Sequence, residues 1–127
     1  MTRPRKIDRN DVALLNVTNY YDGPLQGTLR WNDERFWFEK DHCDRGDDWT
    51  LLLYRLSEDE WAYEDERHAA FREHVGTHCD YDPVTQQRPV GSVRPGGMDA
   101  WRAYYDDPRW RQKRNYADRE PVAAVDL

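Results

Sequence analysis

The sequence has little of what usually narrows the function of a small protein. It contains only two cysteines and three lysines, and its net charge is −6. Two cysteines exclude a disulfide-rich framework, and the acidic balance disfavours binding to nucleic acid. No apolar run approaches the roughly 20 residues that a membrane-spanning helix needs, and no apolar stretch follows the charged N-terminus, as a signal peptide would require. These absences predict a cytoplasmic protein with no membrane or nucleic-acid partner.

Aromatic residues take the place of the scarce aliphatic ones. The chain has six tryptophans, eight tyrosines and three phenylalanines among its 127 residues. Each aromatic side chain can bury roughly 150–250 Å², so a chain of this length can form a core without disulfides or bound metals. The two ends of the chain are rich in charged residues, which are poorly suited to such a core. We therefore expect one domain with a flexible arm at residues 1–10 and a flexible tail at residues 118–127.

The first half of the chain predicts an antiparallel sheet. A β-branched and aromatic run begins at Val12, and the turn residues 22–24 end it. Alternation in residues 28–31 and 36–39 predicts a hairpin around residues 32–35. It places Leu29, Trp31, Phe36 and Phe38 on the core face, and Arg30, Arg35, Trp37 and Glu39 on the other, less buried face.

The second half predicts helices. Ser57 and Glu60 have the spacing of a capping box, and Gly76 is a typical helix stop. The residues available for packing on this helix are Trp61, Ala62, Ala69, Phe71 and Val75. We expect an α+β fold in one domain, residues 11–117. Its parts are a four-stranded antiparallel sheet at 11–56, a main helix at 58–75, an irregular loop at 80–97 and short C-terminal helices at 98–117.

The turn before the hairpin carries a resemblance. It reads Tyr20-Tyr21-Asp22-Gly23-Pro24-Leu25-Gln26-Gly27 and is followed by the aromatic segment 35–39, an acidic loop, a strand and an acidic helix. This arrangement resembles small bacterial proteins that share a Tyr-Tyr-Asp-Gly-Pro-Leu-x-Gly turn. The likeness covers about half of the chain. It implies the same domain plan and assigns no activity.

A repeated His-Cys-Asp tripeptide, at residues 42–44 and 78–80, concentrates the metal-ligating groups of the chain. Zinc prefers thiolate and imidazole ligands, and the set His42, Cys43, His78 and Cys79 supplies two of each. Adjacent histidine and cysteine are poor joint ligands, however, and the alternative is that these are polar loop residues. Each cysteine is also followed by an aspartate, which would raise a thiol pKa and disfavours a nucleophilic role. Zinc is therefore the one cofactor that the sequence suggests.

Exposed aromatic residues indicate a binding surface. Tyrosine and tryptophan often anchor protein interfaces, and the candidates are Tyr20, Tyr21, Asp22 and Trp37. The alternative is that the core needs these aromatics. The acidic helix start would steer a basic partner. The sequence thus predicts a non-enzymatic protein-binding module of the inhibitor, antitoxin or immunity type. A small metal-binding protein and an enzyme with its site between the sheet and the C-terminal helices remain open.

Overall fold

The computed structural model describes residues 4–20, 23–42, 49–77, 79–87, 97–111 and 115–127. These residues form an α+β structure, as predicted, in which a mixed six-stranded sheet carries one long helix. The strands are β1 (Lys6–Ile7), β2 (Val12–Tyr20), β3 (Pro24–Trp31), β4 (Glu34–Lys40), β5 (Thr50–Tyr54) and β6 (Ala123–Asp126). The helices are α1 (Glu58–His74), α2 (Gly97–Tyr105) and α3 (Pro108–Arg111).

The prediction of a four-stranded antiparallel sheet is wrong in both number and kind. The strand order is β1-β6-β5-β4-β3-β2, and β1 pairs with β6 in parallel while the other pairs are antiparallel. The two additional strands come from the segments we expected to be an arm and a tail. At two and four residues they are too short to show alternation. Burial of Ala123, Ala124 and Val125, which are 0–3% exposed, holds β6 inside the sheet.

The sheet is strongly curved. Its two edge strands, β1 and β2, are separated by only four residues, 8–11, and Asp11 donates a backbone hydrogen bond to Asp8 within that turn. Five residue steps span at most about 18 Å, whereas the edges of a flat six-stranded sheet lie about 24 Å apart. The edges must therefore bend towards each other, and one face of the sheet becomes concave.

The concave inner face holds the main core. Leu29, Phe36 and Phe38 lie on it, as the alternation predicts, and are 0–1% exposed. The hairpin that carries them turns at Asn32 and Asp33, whose φ angles of 53° and 58° are those of a type I′ turn. The turn is thus two residues long, shorter than the predicted 32–35. The rest of this cluster comprises Leu14, Val17, Leu51, Leu53, Ala123 and Val125.

The outer face is buried as well, which corrects the prediction that Trp37 is poorly buried. Trp37 is 2% exposed because it lies opposite Tyr54 on β5 and beneath Tyr116, whose ring meets the indole edge-on at 5.1 Å. Trp61 of α1 packs against the same cluster. Alternation along a strand separates its two faces but does not say that one of them is exposed, and here α1 and Tyr116 cover the second face.

Helix α1 begins and ends as expected. The Ser57 hydroxyl accepts a hydrogen bond from the Glu60 N–H, and the Glu60 carboxylate accepts one from the Ser57 N–H, which completes the capping box. Gly76 follows the helix with a φ of 139°. Two of the expected packing residues, Ala62 and Ala69, are exposed instead. The side of α1 that faces away from the sheet therefore carries small and acidic side chains.

Residues 79–87 cover the outer edge of β2. The Cys79 carbonyl accepts the Val17 N–H, the Tyr81 N–H is donated to Leu15, and the Gln86 side-chain amide bonds both the N–H and the C=O of Leu14. These contacts pair an edge that would otherwise be open to other chains. The described part of the predicted irregular loop 80–97, residues 80–87, thus covers this edge.

The C-terminal helices α2 and α3 lie at the predicted positions. The Asp107 carboxylate accepts the Arg109 N–H at 2.9 Å and so caps α3. Residues 116–118 then form a single 3₁₀ turn that delivers Tyr116 to the outer face. Within the described ranges, none of the helices has the length and apolar character needed to cross a membrane.

Candidate functional site

Helix α2 carries an exposed apolar stripe. Met98, Trp101 and Tyr105 are 60%, 45% and 42% exposed and follow one another at the i, i+3, i+7 spacing of a single helix face. The rings of Trp101 and Tyr105 touch at 4.4 Å between centroids. We call these three residues the aromatic stripe. An aromatic cluster of this kind on a surface is characteristic of interaction sites.

The opposite side of α2 holds the stripe in place. Tyr104 packs edge-on against Phe71 of α1 at 5.3 Å and against Tyr105 at 4.8 Å. Burial raises the pKa of the Tyr104 hydroxyl to about 12. A continuous chain of ring contacts therefore runs from α1 to the exposed stripe, and the stripe lies on a helix anchored at one face.

The outward side of α1 adds a strongly acidic surface. Glu58, Asp59, Glu66 and Glu73 are exposed, and within the described residues none of the four forms a salt bridge. The small side chains of Ala62 and Ala69 lie on the same side of the helix. Because the whole chain has a net charge of −6, this surface favours contact with a positively charged partner.

A buried polar cluster fixes α1 on the sheet. Glu64 is 5% exposed, forms an ion pair with Arg67 and accepts a hydrogen bond of 2.7 Å from the Tyr116 hydroxyl. The Arg67 guanidinium lies 5.9 Å from the centre of the Trp37 ring. The carboxylate is thus fully engaged by two partners, and this cluster has a structural role.

The second His-Cys-Asp segment contributes its aspartate to another cluster. Asp80 meets His68 Nε2 at 2.5 Å and accepts a hydrogen bond of 2.9 Å from Arg72 Nε. Burial alone would raise the pKa of Asp80, but the contacts with His68 and Arg72 outweigh it and lower that pKa. A cleft of about 410 Å³ lies beside His68 and is lined also by Asn16 and Thr28. His68 was not predictable from the sequence, since no spacing pattern along the chain links it to Asp80, twelve residues away.

A second, larger groove has a volume of about 640 Å³ and shares Tyr81 with the first cleft. Three chain segments line it: the turn at residues 9–11, the hairpin tip at residues 30–33 and the edge cover at residues 81–86. Trp31 and Tyr81 supply aromatic surface, and Pro24 and Leu127 mark its far end.

The structure divides the residues predicted for the binding surface. Tyr20 ends β2, and Tyr21 and Asp22 lie outside the described residues. Trp37 is buried and cannot contact a partner. The aromatic stripe therefore replaces Trp37 as the exposed aromatic surface. Its residues could have been found from the i, i+3, i+7 pattern of Met98, Trp101 and Tyr105.

The predicted metal ligands are only half described. His42 is exposed just beyond β4, and Cys79 lies half-buried beside β2. Cys43 and His78 fall outside the described residues. Among the described residues, no three His, Cys, Asp or Glu side chains come together as a metal site would require. The zinc set therefore stays a prediction.

Comparison with protein-family models, with curated proteins and with solved structures found no match. The resemblance to small bacterial proteins with the Tyr20–Gly27 turn therefore stays a prediction.

Proposed function

We propose that this protein is a non-enzymatic binding module that recognises a basic protein, as an inhibitor, antitoxin or immunity protein does. The observation that carries the proposal is the aromatic stripe, because three large apolar side chains on one helix face are exposed to water at a cost in solvation. A partner that covers Met98, Trp101 and Tyr105 would remove that cost.

The charge of the partner follows from α1. Its outward side presents Glu58, Asp59, Glu66 and Glu73 without salt bridges among the described residues. Such charges accelerate encounter with an oppositely charged surface, and their effect falls as salt rises. The aromatic stripe would then supply most of the affinity, and the acidic side of α1 would select the partner.

A stripe variant with a matched control tests the proposal. Trp101→Ala with Tyr105→Ser removes the two aromatic anchors, whereas Ala103→Ser changes an exposed residue of α2 outside the stripe. A protein that co-purifies with the wild type is produced separately, and the binary complex is titrated by calorimetry. We expect the stripe variant to bind at least about 30-fold more weakly, since an anchor contributes about 2 kcal/mol or more. We expect the control to bind as the wild type does.

Two results would contradict this function. One is a partner whose affinity is the same for the stripe variant and the wild type. The other is an affinity that is the same at low and high salt, because salt screens charges and should weaken binding to the acidic helix.

A second function, acid–base catalysis on a small molecule, is favoured by the pairing of His68 with Asp80 beside a cleft. A histidine oriented by a carboxylate is a common general base. Turnover of chromogenic ester or phosphoester substrates by the purified protein, lost in His68→Gln with an unchanged circular dichroism spectrum, would support it. An absence of turnover in the wild type would exclude it for these substrates.

A further inference from the structure

The large groove near the N-terminal end of β2 is a candidate for a second binding site. Its volume of about 640 Å³ lies within the range of about 300–1,000 Å³ that is usual for ligand sites. Trp31 and Pro24, the two ends of β3, both line it. Seven residue steps at about 3.3 Å each place those ends about 23 Å apart. The groove is therefore long as well as large.

The charged side chains of the groove differ from many others in the described residues. Six arginines outside the groove form salt bridges there, namely Arg35, Arg55, Arg67, Arg72, Arg109 and Arg119. In the groove, by contrast, Arg9, Arg30, Asp11 and Asp33 make no ion pair or side-chain hydrogen bond within the described residues. Two cations and two anions thus remain available around one concave surface.

The rim of the groove is preformed. The Asp8 carboxylate accepts the Asn10 N–H, and the Asp82 carboxylate accepts the N–H groups of Val84 and Thr85. Gln86 is bonded through both ends of its amide to Leu14. Side chains carried on such fixed turns lose little conformational entropy when a ligand binds, which favours recognition.

The chemistry of this lining selects among ligand classes. An apolar ligand would bury the four charges without compensation, at a high cost. A polyanion would meet Asp11 and Asp33, and a neutral oligosaccharide would desolvate the charges without pairing them. A peptide that carries both acidic and basic side chains can pair with both signs, and in extended form about seven residues of it span about 23 Å.

We propose that this groove binds an extended peptide segment of about seven residues that contains both an acidic and a basic side chain. Arg9 and Arg30 would bind its acidic groups, and Asp11 and Asp33 its basic groups. Trp31 and Tyr81 would contact its apolar atoms. This site is separate from the aromatic stripe, so it does not depend on the function proposed above.

Selection from a displayed library that contains all heptapeptides tests the proposal on the full chain. We expect enrichment of peptides that carry both charge signs. The best peptide should bind at least tenfold more weakly to a double variant, Arg9→Glu with Asp33→Lys, whose net charge is unchanged. A matched control, Arg102→Glu with Glu120→Lys, reverses two exposed charges outside the groove and should bind as the wild type does.

Several outcomes would overturn the proposal. They are the absence of any enriched peptide, enrichment of apolar or single-sign peptides, and equal binding to both double variants. A titration with maltoheptaose provides the oligosaccharide comparison, and chemical shift changes at Trp31 and Tyr81 with the sugar but not with the peptide would replace the proposed ligand. Circular dichroism of both double variants confirms that a lost affinity is not a lost fold.

Discussion

The two faces of the sheet are both buried, but they are buried by different chemistry. The inner face encloses aliphatic side chains and phenylalanine, exemplified by Leu29, Phe38 and Leu53. The outer face encloses Trp37, Tyr54 and Tyr116, together with the carboxylate of Glu64. On the inner face packing alone decides stability. On the outer face each buried polar atom also needs a partner.

On the outer face, not every buried polar atom has such a partner in the described part of the chain. Glu64 has two partners, but the indole nitrogen of Trp37 and one carboxylate oxygen of Glu39 are buried with no hydrogen-bond partner among the described residues. Truncating a side chain on the inner face should therefore lower the free energy of unfolding by leaving a cavity. Truncating one on the outer face should lower it by an amount that depends on which polar groups lose their partners.

The largest effect is expected for Phe38→Ala on the inner face. Phe38 is fully buried in the main cluster, and removing its ring should lower the free energy of unfolding by about 3–5 kcal/mol. Urea unfolding followed by tryptophan fluorescence measures the loss. Trp37→Phe on the outer face is the comparison. It should cost less than about 1.5 kcal/mol, because the new ring remains large and the lost N–H has no partner in the described part of the chain. Equal losses in the two variants would remove the distinction between the faces.

The next largest effect is expected for Glu64→Ala on the outer face. The substitution leaves Arg67 without its ion pair and the buried Tyr116 hydroxyl without its acceptor. Removing one member of a buried charged pair costs about 3 kcal/mol. Denaturant unfolding should show this loss. Glu66→Ala, two residues away on the exposed side, serves as control and should change stability by less than about 0.5 kcal/mol.

The difference between the faces also explains how far the sequence could predict the fold. The inner face was predictable because Leu29, Phe36 and Phe38 alternate with polar residues in a hairpin whose turn is local. The same pattern could not reveal that Trp37 is buried, because its cover comes from Tyr116, far along the chain. Strand β6 was missed for a related reason: four residues, Ala123–Asp126, become a strand only because β1 and β5 lie on either side of them.

The candidate sites show the same limit. Capping signals such as Ser57 with Glu60 were readable because the interacting groups lie within one helical turn. The contact between His68 and Asp80, by contrast, depends on the edge cover lying against α1. Long-range contacts of charged side chains have no signature in the spacing of residues.

A smaller effect is expected for Gly27→Ala, which tests how closely the inner face is packed. A Cβ atom at Gly27 would lie 2.2 Å from the backbone oxygen of Asn16 and 2.8 Å from the Phe38 ring. Because a backbone atom cannot move aside cheaply, we expect a loss of about 2 kcal/mol. The melting temperature and urea midpoint measure it. A combined Gly27→Ala and Phe38→Leu variant is the control: partial recovery relative to the sum of the single losses would show that the ring is part of the clash.

The smallest effect is the pH dependence that arises from one ion pair beside the outer face. Hydrogen bonding to Arg119 lowers the pKa of Glu60 from 4.5 to about 2. The unfolded chain therefore takes up this proton at a higher pH than the folded chain does, and the stability that the pair contributes is present above about pH 4.5 and is lost as the pH falls towards 2. Because both side chains are partly exposed, we expect a contribution of about 1 kcal/mol or less to the free energy of unfolding.

Urea unfolding of the wild type and Glu60→Gln should differ at pH 6 and converge near pH 2. Phe38→Ala should instead remain parallel to the wild type across that range, since the inner cluster contains no titrating group. A convergence of Phe38→Ala with the wild type would mean that the two faces of the sheet do not respond to acid independently.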